Sequence, residues 1–161
     1  MFATIHPFRR GALVLEPLEG GDAFAMVLSD TAPVPGADSY RVVDRSEGAA
    51  AGRRPLFAQV TTLNERGDPA VAAAAQRGGR ERIQPAVRHI EGVVGTLVLE
   101  AENHRMVIVA LATTLETFDA VRDAIMRTDL LPGEDPALLP GPDRIELARV
   151  VLAELPAEVR S

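Results

Sequence analysis

The stretch Gly95-Thr96-Leu97-Val98-Leu99-Glu100 is matched by Gly11-Ala12-Leu13-Val14-Leu15-Glu16 in five of six positions. Both are short apolar runs of strand character, opened by a glycine and closed by a carboxylate. Two further matches flank them. Phe2-Ala3 precedes the first copy as Phe57-Ala58 precedes the second, and Arg41-Val42-Val43 follows the first as Arg149-Val150-Val151 follows the second. The distance between partners grows along the chain, and each increment is the length of a helix with its loops. Residues 1–50 therefore read as a degenerate, all-β repeat that has lost both helices, and residues 56–156 as a complete repeat.

The complete repeat is legible element by element. Leu56 to Leu63 (LFAQVTTL) is apolar and β-rich. Asp68-Pro69 then offers an N-cap and a proline at the first helical position. An alanine-rich helix follows over about 69–90, and Gly78-Gly79 and Pro85 should break or kink it. Val93–Glu100 and Arg105–Leu111 form a hairpin around the polar turn Ala101-Glu102-Asn103-His104. Thr113-x-x-Glu116 reads as a capping box for a helix over about 114–128, whose apolar face is Leu115, Phe118, Val121 and Ile125. A Pro/Gly-rich excursion, 131–142, leads to a last strand at 144–155. The order β-α-β-β-α-β is that of a ferredoxin-like α+β fold.

The hairpin strands are apolar on both faces, which requires cover on both sides of the sheet. Helices supply one cover, and the four-stranded sheet of the other repeat, packed face to face, supplies the second. The expected result is eight strands in a single-chain α/β barrel-like domain, with residues 44–55 as a flexible connection. In the helix-stripped repeat, Phe24, Met26 and Leu28 should meet the core. Ala12, Val14, Ala25 and Val27 are left on a lean face with nothing over it.

Composition excludes several functions. At 161 residues and 47% hydrophobic, the chain can build one real core, and no apolar run is long enough to span a bilayer. The N-terminus lacks the order of a signal peptide, so a cytoplasmic location is expected. Net charge is −6, which argues against nucleic-acid binding. With no cysteine and no paired histidines, neither thiolate chemistry nor a metal site is expected, and no cofactor is implied.

Residues 56–156 resemble the dimeric α/β-barrel superfamily, in particular its antibiotic biosynthesis monooxygenase-like domains. The resemblance rests on the first strand, the IQPAVRHIEG end of the long helix, the VLEAENHRMVIVALATT hairpin and the acidic second helix. Residues 1–44 resemble a shrunken second copy. The resemblance implies a pocket between helices and sheet, and an ancestry that includes cofactor-independent oxygenases and haem-degrading enzymes. Oxygenase members tend to carry an Asn on the first strand with Trp and Arg nearby. This chain has Gln59 and Thr61 there, Asn64 just beyond the strand, and no Trp.

The candidate ligand-binding residues are Gln59, Thr61, Arg82 and His89. Gln59 and Thr61 share one strand face, and Arg82, with Arg88 beside it, lies on the long helix, where an inward arginine can bind a carboxylate. His89 ends that helix and is the general base the sequence places near it. His104 falls in a hairpin turn, where exposure is expected. The pocket is expected between the first strand, the first helix and the 131–142 excursion, which can act as a lid. A non-catalytic protein that binds a small organic molecule or serves assembly is the first expectation. The alternative is a monooxygenase-like enzyme acting on a small organic substrate. The uncovered face of residues 11–28 points to a homodimer.

Overall fold

The computed structural model describes residues 10–29 and 38–155. Its elements are β1 (Arg10–Pro17), β2 (Phe24–Ser29), β3 (Arg41–Glu47), β4 (Phe57–Leu63), α1 (Pro69–Gly78), a π-helical turn (Gly79–Ile83) and α2 (Gln84–Val87). The chain continues through β5 (Val93–Glu100), β6 (Met106–Ala112), α3 (Glu116–Met126), a 3-10 turn (Pro136–Leu138) and β7 (Arg144–Glu154). The βαββαβ order of the complete repeat is present, and no helix interrupts the described part of residues 1–50. The strand expected at Phe2-Ala3 lies outside the described residues.

Local sequence accounts for the helix ends. Asp68 caps α1 by accepting from the Ala70 N–H at 2.8 Å, and Pro69 occupies the first turn, where no donor is lost. The paired glycines and Pro85 divide the long helix into α1, the π turn and α2. The cap of α3 differs from expectation. Thr114, rather than Thr113, supplies the oxygen for the Thr117 N–H, at 3.3 Å, so no Thr113–Glu116 capping box forms. Thr113 is held instead by its backbone, its N–H donating to Gly92 C=O.

The described strands form one antiparallel sheet in the order β2-β1-β7-β4-β6-β5-β3, not two stacked sheets. β7-β4-β6-β5 is the ferredoxin-like core, and the N-terminal strands extend it at both edges. The reason is the backbone: an edge strand carries a row of unpaired N–H and C=O groups, and pairing edge to edge satisfies them. β1 pairs with β7, and β3 with β5. The two seams share one register. Arg41 stands opposite Glu100 and Val42 opposite Leu99; Arg149 stands opposite Glu16 and Val150 opposite Leu15. Each seam then shifts by one residue, skipping Val43 in one and Val151 in the other.

The sheet curls into a half-barrel around its own core. Strands four places apart in a flat sheet would be about 19 Å from each other. Yet Leu13 and Leu15 of β1 belong to the same buried cluster as Leu97 and Leu99 of β5, with Ala58, Val107, Val109, Leu111, Ala148 and Val150 between them. Met26 and Leu28 pack against that cluster from β2, as their spacing predicts, whereas Phe24 is 41% exposed. The helices lie over the convex side of β4, β6 and β5, burying Ala72, Val87, Thr117 and Phe118. The presumed flexible connection is ordered: β3 runs to Glu47, and Gly48, Ala50 and Arg53 donate backbone hydrogen bonds to Val94, Val93 and Ala50.

Candidate functional site

Gln59 and Thr61 pair across β4–β6 with Ala110 and Ile108, which puts them on the convex, helix-bearing face. On the other side they face Leu147 and Ile145 of β7, where helix cover ends and both neighbours are exposed. Both polar residues are half-buried. Arg82 is engaged elsewhere: its Nε donates to Glu134 Oε1 at 2.9 Å and its Nη1 to Thr128 Oγ1 at 2.9 Å. It clasps the 131–142 excursion to the π turn. His89 is exposed at the end of α2, with Arg88 Nε 3.4 Å from its Nε2.

Two clefts stand out among the described residues. One, of about 340 Å³, lies between α1 and the 131–142 excursion and is lined by Ala70, Ala73, Arg77, Glu134, Asp135 and Leu138 among others. It has the helix and excursion walls expected from sequence, without the β4 wall. The other, of about 250 Å³, opens at the end of the half-barrel, between β3, β5 and the end of β7. Gln59, Thr61, Arg82 and His89 line neither.

Glu134 is the electrostatic anchor of the excursion. Its side chain is 4% exposed, and its Oε1 also accepts from the Leu131 N–H at 2.8 Å. That hydrogen bond, with Arg82 beside it, outweighs burial and holds the carboxyl below its ordinary range.

The best-organised polar group lies at the opposite end of β5. Glu100 is buried, and its two oxygens meet Gln76 Nε2 at 2.6 Å and His104 Nδ1 at 2.8 Å. Arg41 Nη2 lies 3.7 Å away, across the seam. His104 sits in the β5–β6 turn with φ at 66°, a left-handed conformation unfavourable for a non-glycine residue. Its carbonyl accepts from Asn64 Nδ2 at 2.9 Å, and the same amide ties down Asp68. A carboxylate on Nδ1 of a half-exposed imidazole is the arrangement of an oriented general base. The sequence reading took Glu100 as a strand terminus and His104 as a bare turn. The available signal was their spacing of four across a hairpin turn.

A scan against protein-family models gives no match, and a search of curated proteins gives none. Solved structures do match. An anthrone oxidase-like protein superposes with a TM-score of 0.55 at 11% identity, over 89% of this chain and 77% of its own. A major regulator of staphylococcal pathogenesis superposes with a TM-score of 0.54 at 10% identity, over 91% and 85%. A ferredoxin-fold protein from Listeria monocytogenes, related to antibiotic biosynthesis monooxygenases, gives 0.46 at 10% identity, over 89% and 95%. Identities this low carry the fold alone. Among the described residues no helix is long and apolar enough to cross a membrane.

Proposed function

We infer that this chain, which has the dimeric α/β-barrel fold, works as a non-catalytic assembly protein that pairs with a second copy of itself. The observation that carries the reading is the convex face of β2, β1 and β7, over which no helix lies among the described residues. Val27 is 71% exposed, Ile145 54% and Val151 51%, with Leu152 and Leu147 beside them. Their neighbours across the strands, Ala12, Val14 and Ala25, are uncharged as well. The same sheet face over β4, β6 and β5 is covered by helices. A chain that leaves one half bare while shielding the other gains by covering the bare half with itself. At ~25 cal/mol per Å², hiding about 600 Å² of apolar surface contributes ~15 kcal/mol, against ~4–15 kcal/mol lost on association. A two-fold dimer through residues 11–28 and β7 follows. Light scattering at tens of micromolar tests it, and a monomeric wild type overturns it.

The two-copy origin of the chain, residues 1–50 and 56–156, belongs to this reading. What supports it is the shared register and shared skipped residue of the two seams, because unrelated strand pairs have no cause to agree in both.

A second reading, a monooxygenase-like enzyme, is favoured by one observation: the Glu100-oriented imidazole of His104. Such a base could take a proton from a phenol or an activated C–H. Oxygen consumption with a polycyclic phenol, lost in His104→Gln, would favour this reading over the first. No consumption by the wild type would remove it.

A further inference from the structure

We propose that the cleft between α1 and the 131–142 excursion is a binding site for a small primary amine with an apolar body. The cleft is walled by helix and excursion, so the site depends neither on self-pairing nor on the His104 imidazole. Its walls are apolar, with Ala70, Ala73 and Ala74 on α1 and Leu138 and Leu139 on the excursion. Its charged groups are Arg77, Glu134 and Asp135. Two of them already have ionic partners. Arg77 Nε lies 3.2 Å from Glu81 Oε2, and Glu134 Oε1 lies 2.9 Å from Arg82 Nε. Asp135 is the remainder: its Oδ1 accepts from the Ala137 N–H at 2.9 Å, and no cation pairs with it among the described residues. Counted with every partner, two guanidinium groups stand against three carboxylates, which leaves the cleft negative.

A second observation points the same way. The Glu134 side chain is 4% exposed, and its Oε2 has no hydrogen-bond partner among the described residues. A buried carboxylate oxygen without a donor is costly, and an ammonium group brings donors together with the matching charge. The excursion wall is held in place by its own backbone. Glu134 N–H donates to Leu131 C=O at 3.0 Å, Leu138 N–H to Asp135 C=O at 3.0 Å and Leu139 N–H to Pro136 C=O at 3.1 Å. Arg77 Nη2 ties that wall to α1 through the Pro132 carbonyl at 3.1 Å. Both walls are therefore placed before any ligand arrives, which limits the ordering cost of binding. The volume of about 340 Å³ lies at the lower end of the range for ligand pockets, so the body is small, about ten heavy atoms. An organic acid would meet the excess carboxylate, and a neutral alcohol brings a donor without the charge.

The test is a proton–nitrogen NMR titration of the full chain with hexylamine, hexan-1-ol and hexanoate, which share a tail and differ in head group. Hexylamine should bind and shift the amides of α1 and of residues 133–139. Hexanol should bind about fivefold or more weaker, and hexanoate should not bind detectably. Asp135→Asn keeps the oxygen that accepts from Ala137 and should weaken hexylamine by about fivefold. Asp119→Asn makes the same change of charge on an exposed face of α3 and should leave binding unchanged. Ala73→Trp, at an exposed position of α1, fills the apolar wall and should abolish hexylamine binding. Equal binding of the three probes, equal weakening by Asp135→Asn and Asp119→Asn, full binding in either Asp135→Asn or Ala73→Trp, or no hexylamine binding by the wild type would each overturn the proposal.

Discussion

Gly78 leaves the space that the Glu134 carboxylate occupies: a Cβ built on Gly78 would lie 2.9 Å from Glu134 Oε2 and 3.3 Å from Arg82 Nη2. The last residue of α1 is thus held to glycine by the ion pair it passes under, not by a special dihedral angle. Gly78→Ala should destabilise the chain by about 1–3 kcal/mol, the range for overpacking, despite the better helix propensity of alanine. Neighbouring Gly79 has nothing within 4 Å of its Cβ position, so Gly79→Ala should be neutral or stabilising. Urea melts of the two variants decide between packing and propensity.

The same carboxylate sets a pH dependence. Its ordinary value is about 4.5, and its folded value is lower, first because Leu131 N–H donates to it and then because Arg82 lies beside it. The folded chain therefore takes up the proton less readily than the unfolded one. This contribution to stability is full above the ordinary value and is lost as pH falls through the lowered one. Glu134→Gln should be less stable at neutral pH and should lose less of its remaining stability on acidification. Denaturant midpoints measured from neutral pH to below pH 4 read both effects.

Asn64 joins two loops with one buried side chain in a left-handed conformation, φ 60°. Its amide reaches Asp68 through both N–H and C=O and the His104 carbonyl through N–H. Asn64→Ala removes these bonds and the residue type that tolerates that backbone. A loss of about 2–3 kcal/mol is expected, with faster amide exchange in the β5–β6 turn.

Glu100→Ala removes the common partner of Gln76 and His104 from a buried position. A loss of about 1–3 kcal/mol in chemical unfolding is expected. The His104 ring resonances should also move in proton NMR, because the ring loses the carboxylate that orients it. Unchanged ring resonances would mean that Glu100 does not hold the imidazole in solution.

Val27→Arg puts a charge on the most exposed apolar side chain of the bare face. If the proposed self-pairing holds, this variant should give a monomer by light scattering, while Arg122→Ala on α3, whose charge already faces solvent, should leave the proposed dimer intact.

Periodicity made the hairpin of β5 and β6 and the division of the long helix legible, because two-faced apolarity and Gly-Gly with Pro85 are local signals. It also gave the inward set Met26 and Leu28. The continuity of the sheet was not legible, since seams are made by backbone groups of residues far apart in the chain. β3 was cut short because Asp44-Arg45-Ser46-Glu47 is polar, a composition common at sheet edges and in loops alike. Arg82 was read as an inward ligand-binder, whereas the partner that occupies it comes from an excursion with no periodic signal of its own. Glu100 was hidden for the opposite reason: a glutamate closing an apolar strand is what a solvated strand end also looks like.

The matched seams bear on how the chain finds its fold. β1 and β5 carry the same Leu-Val-Leu-Glu run and are met by the same Arg-Val-Val in the same register, so the seam chemistry does not distinguish β3 from β7 as a partner. Connectivity makes the choice, through the short link from β3 to β4 and the excursion that returns β7. That discrimination is entropic and weakens when many chains are present, because a neighbour's β7 competes with the chain's own β3 for β5. Refolding at high concentration should accordingly trap interlocked oligomers closed by borrowed strands, and refolding from dilute solution should avoid them.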